Sequence, residues 1–302
     1  VIAIHQENLG LSAARNTGYK AATGDIIAYT DADCLADRDW LYHLVATLQS
    51  GTFAGVGGPN ISPPARSAMR ACIAAAPGSA SHVLLSDTVA EHIPGCNMAF
   101  YRWALDLVGG WDPDFRTAGD DVDFCWRIQQ AGHQIAFSPA AIVWHHRRFT
   151  LPAFFKQQMG YGQAESLLRF KHLAFFSRIG GARWKGCVYG PPRFEWLLQK
   201  PIIYHGVFGL GLFQSIYPAQ DSAWTGIVSS IEWVALTVSV ALLSLPFPSL
   251  KILAVFMALA TLWVGFSFAV RAPIEPRFDT LVTRFLLWAV AVAQPILRGW
   301  AR

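Results

Sequence analysis

Ile26-Ile27-Ala28-Tyr29-Thr30-Asp31-Ala32-Asp33 is an apolar, partly β-branched run that ends in two carboxylates spaced i and i+2. A strand repeats its side-chain direction every two residues, so this spacing predicts that Asp31 and Asp33 leave one face where a buried strand meets solvent. The absence of polar alternation predicts a strand covered on both faces. Two anionic oxygens held side by side suit a hard divalent cation, Mg²⁺ or Mn²⁺, which in turn can hold a diphosphate. An Asx-turn after a strand is the plainer alternative.

Reading outward, Ser12 to Ala22 predicts a helix closed by Gly24 at a position needing positive φ, and Asp39 to Gln49 a second helix. Strands are expected at Ala54–Gly58, Cys96–Tyr101, Gln134–Phe137 and Ala141–Trp144, and helices at Arg102–Val108 and Asp121–Ala131. Residues 59–94 carry no clear pattern. Strands alternating with helices imply an α/β sandwich with a mainly parallel sheet. Val1-Ile2-Ala3-Ile4 reads as an internal strand.

Further motifs stand at intervals along the same half. They are Asn8-Leu9-Gly10-Leu11-Ser12-Ala13-Ala14-Arg15-Asn16-Thr17-Gly18, Gly95-Cys96-Asn97-Met98-Ala99-Phe100, Gly109-Gly110-Trp111-Asp112 and Gly119-Asp120-Asp121-Val122-Asp123-Phe124-Cys125-Trp126-Arg127. In this order, together with the Asp-x-Asp octet, they resemble the family-2 glycosyltransferases. The resemblance covers residues 1 to about 150 and implies a GT-A fold, a Rossmann-like α/β/α sandwich. It also implies a nucleotide-diphosphate sugar as donor, a hydroxyl acceptor and a divalent metal. The family begins one βαβ unit earlier, so a sandwich incomplete at its N-terminus is expected.

By that resemblance Asp33 is a direct metal ligand, and Asp31 contacts the ribose or the metal through water. His145 is the choice over His146 for a third ligand. Arg15 and Asn16 face the donor, where the Arg fork suits a diphosphate. Gly109, Gly110 and Trp111 lie beside sugar and acceptor, with the Trp111 ring offering an apolar face. The family's Glu-Asp-x-Asp becomes Asp120-Asp121-x-Asp123 here. Asp121 is the expected general base, with Asp123 second, and Asp120 shortens the arm that is usually Glu. Acids also favour a first helical turn, but three in four positions exceed what capping requires. The Gln-x-x-Arg-Trp motif of polymer-extruding relatives is missing.

The chain has 302 residues, 53% hydrophobic and 15% charged, more apolar than an ordinary soluble domain. Charge is divided unevenly. Residues 1–146 carry 8 Lys/Arg against 14 Asp/Glu, residues 147–200 carry 10 against 2, and the remainder 6 against 4. The basic, aromatic stretch leads into apolar spans, so membrane lipids are the expected partner and nucleic acid is not. A solvated basic face is the bland alternative. Five cysteines without a Cys-x-x-Cys predict reduced thiols and neither a zinc site nor a disulfide framework.

Ile227–Leu245 and Ile252–Val270 are each 19 residues long, about 28 Å as helices and enough to span a bilayer. Leu281–Leu297 is interrupted by Arg284, Gln294 and Pro295, and Ile202–Tyr217 by His205 and glycines, so both read as interfacial or re-entrant. The expected organisation is a catalytic domain over 1–150, a basic juxtamembrane region over 151–226 and membrane helices over 227–302. The expected function is an inverting, metal-dependent glycosyltransferase on the bacterial inner membrane. Its catalytic half faces the cytosol, and the layout allows a lipid-linked acceptor. A nucleotidyltransferase on a similar fold and a non-catalytic membrane scaffold are the rivals.

Overall fold

The structure is a computed structural model, and it describes residues 1–79, 82–176 and 223–302. The expected Ile202–Tyr217 segment, most of the 151–226 region and Cys187 lie outside the described residues. The chain divides into two compact units. One comprises residues 1–61, 80–146 and 164–188, the other residues 62–79, 147–163 and 189–302.

The first unit is the expected α/β assembly. Its elements run α1 Leu11–Ala21, β1 Ile26–Thr30, β2 Cys34–Ala36, α2 Trp40–Gln49, β3 Phe53–Gly57 and β4 Asn60–Ile61. After α3, Ala68–Ala75, which belongs to the second unit, come β5 Val83–Leu84, β6 Val89–His92, β7 Asn97–Tyr101, α4 Arg102–Val108, α5 Asp120–Gln130, β8 Gln134–Phe137 and β9 Val143–His145. Six strands form one sheet in the order β1-β7-β3-β8-β6-β5, and β2-β9-β4 form a small second sheet.

The large sheet is mainly antiparallel, contrary to the sequence expectation; within it only β3 and β8 pair in parallel. The cause lies at β7, which inserts between β1 and β3 and runs against both. The β1–α2–β3 crossover still makes those two strands mutually parallel, but they never touch as neighbours. β1 is therefore an edge strand, and its residues alternate between buried Ile27 and Tyr29 and exposed Ala28 and Thr30. The predicted two-sided cover is absent, since one face of β1 is exposed. Val1–Ile4 forms no strand and is exposed, with no ladder partner among the described residues. Gly24 does not take positive φ. Arg102 instead satisfies the free carbonyls after α1, bonding Ala22 O at 2.6 Å and Gly24 O at 3.0 Å.

On one face of the sheet, Trp40, Leu44 and Leu48 of α2 recur at one-turn spacing and pack on Val56, Ala99, Ala136 and Val143. α5 carries Phe124, which stacks on Trp111 at 4.3 Å and meets Phe100 edge-on at 4.7 Å. Trp126 continues that packing with Phe115, Leu168 and Phe176.

The second unit is helical in its described part. It contains α3, residues 151–163 of α6 (Leu151–Lys171), α7 Ala223–Val228, α8 Ile231–Leu243, α9 Lys251–Arg271 and α10 Leu281–Ala301. The predicted span Ile227–Leu245 is not one helix. The chain breaks at Ser229–Ser230, where Ser230 caps α8 by accepting from Trp233 N, leaving a 13-residue helix. Two helices among the described residues are long and apolar enough to cross a bilayer, Pro248–Arg271 and Leu281–Ala301. α9 exposes Ile252, Val255, Phe256, Leu259, Trp263 and Phe266. α10 runs unbroken through Pro295, against the predicted interruption. It buries Thr283, Leu287, Val290, Ala291 and Gln294 as a stripe. That stripe packs with Cys72 and Ile73 of α3 and Phe154 of α6, and Gln294 donates to Gln158 Oε1 at 2.7 Å. Arg284 sits in the first turn, paired with Asp279 at 2.7 Å and donating to the carbonyls of Ala269, Val270 and Ala272. A helix-end charge so paired avoids the cost of a bare one in lipid.

Candidate active site

The first unit gathers its carboxylates at the ends of β1, β9 and α5. β1 stops at Thr30, and a turn follows in which Cys34 N donates to Asp31 O at 3.0 Å. Asp31 and Asp33 are thus turn residues, not strand residues, and the turn rather than the two-residue period sets their directions. The same turn starts β2, where Cys34 faces His145 of β9 in register. One ligand atom from each of Asp31, Asp33 and His145 lies within 4.8 Å of the others, and His145 Nε2 stands 3.5 Å from Asp33 Oδ1. Two carboxylates and an imidazole form a donor set that fits Mn²⁺.

Arg15, on the buried side of α1, reaches into this group. Its guanidinium pairs with Asp120 and lies 3.5 Å from Asp31 Oδ1. It also sits 5.0 Å over the Trp111 ring and against Gly95, where a Cβ would collide with it. Burial would lower the Arg15 pKa, but Asp120, Asp121 and Asp31 together raise it. Asn16 is engaged with the protein's own backbone. Its Nδ2 donates to Trp111 O at 2.7 Å and its Oδ1 accepts from Trp111 N at 2.9 Å, clamping the turn made by Gly109 and Gly110. Both glycines have φ near +75°, the left-handed region that side chains avoid.

Trp111 corrects the expectation of an apolar platform for a sugar or lipid. It is 1% exposed, stacked on Phe124, with its indole N–H 3.1 Å from Tyr29 Oη. The Gly-Gly-Trp segment is a tight turn with a core tryptophan.

At the start of α5 the three acids part ways. Asp120 is buried against Arg15; burial pushes its carboxyl up to about 6, with Arg15 opposing and Asp121 adding to the rise. Asp121 is 18% exposed, accepts from Gly95 N at 2.9 Å and faces His92 Nε2 at 3.5 Å. Burial alone would raise it; the hydrogen bond and charge of His92, with Arg15 and the Gly95 N–H, hold it down to about 2. Asp123 is fully buried among Arg127 at 2.7 Å, Lys171 at 2.6 Å and His172 at 2.8 Å. These partners leave it no free lone pair toward a substrate, so the second base candidate is a structural ion cluster.

Sequence reasoning missed His92, which carries no motif, and gave no role to Cys34 or to Cys96. It also missed the use of Asn97, whose side chain accepts from Trp40 Nε1 at 2.7 Å and donates to Pro59 O and Ala141 O at 2.8 and 2.7 Å. The Gly95-Cys96-Asn97 motif was the available signal.

Residues 1–71 match the family described as Glycosyl transferase family 2. A pre-mycofactocin glycosyltransferase of Mycobacterium tuberculosis is 30% identical over 175 residues, 56% of this chain and 37% of that protein. A poly-beta-1,6-N-acetyl-D-glucosamine synthase of Staphylococcus aureus is 29% identical over 186 residues, 59% of this chain and 44% of that one. The chain thus spans less than half the length of these curated relatives. A mannosyltransferase from Pyrobaculum calidifontis, solved with GDP-Man and Mn²⁺, aligns over 95% of this chain and 66% of its own at 18% identity and TM-score 0.46.

Proposed function

We propose that this chain, whose residues 1–71 match the Glycosyl transferase family 2 model, serves an inverting, metal-dependent transfer of a sugar from a nucleotide-diphosphate donor to a hydroxyl acceptor. The observation that carries the reading is the convergence of Asp31, Asp33 and His145 within 4.8 Å of one another, beside a buried arginine. Those three residues would hold Mn²⁺ or Mg²⁺, which when bound offsets the charge of a leaving diphosphate. Arg15 supplies a fork suited to the same diphosphate. Asp121, the most accessible acid of its cluster, takes the proton from the acceptor hydroxyl as that oxygen attacks the anomeric carbon and the donor diphosphate leaves from the opposite side. Asp120 orients Arg15.

Placement on the bacterial inner membrane, with the catalytic unit on the cytosolic side and a lipid-linked acceptor, is the companion reading, supported by the exposed apolar row of α9. α10 lies along the surface instead of crossing, because its buried stripe is already covered by α3 and α6 and its Gln294 is bonded to Gln158.

The test is donor binding. Asp33→Ala should weaken Mn²⁺-dependent binding of UDP- and GDP-linked sugars by at least about tenfold, with the far-ultraviolet circular dichroism unchanged. The comparison is made in the completed protein, and undiminished metal-dependent binding in the variant would overturn the assignment.

A further inference from the structure

The turn that carries Asp31 and Asp33 continues into a second, chemically different set of ligands. Cys34 begins β2 and is the cross-strand partner of His145 on β9. Cys96 arrives from elsewhere, on the Pro94–Asn97 turn closed by Asn97 N to Pro94 O at 3.0 Å. One ligand atom from each of Cys34, Cys96 and His145 lies within 4.8 Å of the others, and the two thiols are in hydrogen-bonding contact. Neighbouring corners of a tetrahedral shell with bonds of about 2.0–2.3 Å stand about 3.3–3.8 Å apart, so these atoms need little movement. Asp33 Oδ1, 4.0 Å from Cys34 Sγ and 3.5 Å from His145 Nε2, stands where a fourth ligand would.

The corner around Cys96 is built from polar contacts. Asn60 Nδ2 points at Cys96 Sγ from 3.5 Å, an outer N–H of the kind that steadies a metal-bound sulfur. The backbone that positions Cys96 is fixed by the Asn97 side chain, so this corner is preorganised. Cys72 and Cys125 are buried in other packing and are not part of the group.

We propose that Cys34, Cys96 and His145, completed by Asp33, form a site for one soft divalent cation of the Zn²⁺ class, exclusive with a hard cation on Asp31, Asp33 and His145. The two sets share His145 and Asp33, so only one ion is held at a time. Ligand softness decides which: thiolates select Zn²⁺, carboxylates Mn²⁺ or Mg²⁺. On binding, each thiol gives its proton to solvent and forms a sulfur–metal bond, with no change of oxidation state. The exclusion rests on the metal reading above; the thiolate site does not.

The probe is Co²⁺, which reports sulfur ligation by a thiolate-to-metal charge-transfer band, added to the purified reduced chain. One equivalent should bind with that band, and Zn²⁺ should displace it. Cys34→Ser and Cys96→Ser should each weaken the band and the double variant abolish it, whereas Cys72→Ser keeps it. Cys34 is partly exposed, so its serine variant reports even where the Cys96 variant is destabilised. Free Mn²⁺, followed by electron paramagnetic resonance, should be released by one equivalent of Zn²⁺ from the parent chain, whereas Cys34→Ser should need about tenfold more Zn²⁺ for the same release. Bound Co²⁺ without the band, or a band surviving in the double variant, would overturn the site. Joint occupancy by Zn²⁺ and Mn²⁺ would overturn the exclusion. A normal band with no Mn²⁺ uptake supports the thiolate site while removing the carboxylate reading.

Discussion

Asp120 and Asp121 are neighbours in sequence with opposite fates, and the difference is environmental. Asp120 meets a guanidinium inside the protein; Asp121 meets a backbone N–H and an imidazole at its edge. In the proposed reaction, access more than acidity recommends Asp121 as the base, since a carboxyl held near 2 is a weak base until a substrate changes its surroundings. Asp121→Asn should keep donor binding and lower transfer by about 10²-fold or more, read as kcat at saturating donor. A near-parental rate would move the base elsewhere. Linkage gives a second readout. A carboxyl depressed on folding contributes stability that is full above its unfolded value and is lost as pH falls through the folded one. For Asp121 that window runs from about pH 4 down to about pH 2 and is worth about 2 kcal/mol. Urea midpoints across the window should therefore fall less steeply in Asp121→Asn. Asp120, raised to about 6, has the opposite sign, its contribution fading as pH climbs through 6. Residue types made the acids legible in the sequence. Their division of labour was not, because it depends on Arg15, His92 and Gly95, brought in from three other segments. Trp111 misled for the same reason: only packing against Phe124 and Tyr29 makes it a core residue.

The acidic helix α5 is held as well as armed. Asp123 ties it to the end of α6 through Lys171 and His172 and to its own next turn through Arg127, which also donates to Val108 O and Gly110 O. Removing one member of a buried charge cluster leaves the others uncompensated, typically a loss of about 3–5 kcal/mol. Asp123→Asn should thus lower the unfolding midpoint markedly while leaving Mn²⁺ affinity of the remaining folded protein within about twofold; a mild stability effect with lost transfer would restore Asp123 to the chemistry. At this scale the sequence served α2, α4, α5 and β8 well, since each carries a full apolar pattern or an acidic cap. It missed β2, β4, β5 and β6, which are two to four residues long and draw their definition from partners rather than from propensity. It also made the sheet parallel, because nothing local in Asn97–Tyr101 announces that this strand enters between β1 and β3.

The class of the whole chain, an α/β unit with apolar helices after it, was legible from composition and periodicity. Helix continuity in the apolar part was less so. Hydropathy joined residues across Ser229 and Ser230, where a cap ends one helix and starts another, and it divided α10 at Pro295, where the helix persists. The row of Ile252, Val255, Phe256, Leu259, Trp263 and Phe266 along α9 has a practical outcome of its own. So much greasy surface in one band demands either lipid or its substitute. Expressed in bacteria, the protein should pellet with the envelope fraction. It should stay there through high salt and alkaline carbonate, which strip charge-held proteins, and enter solution with a mild detergent. Release by salt alone would mean that the basic segment, not this helix, holds it to the bilayer. A preparation kept in plain buffer would precipitate along this band, so every binding and spectroscopic measurement on the chain belongs in micelles or nanodiscs.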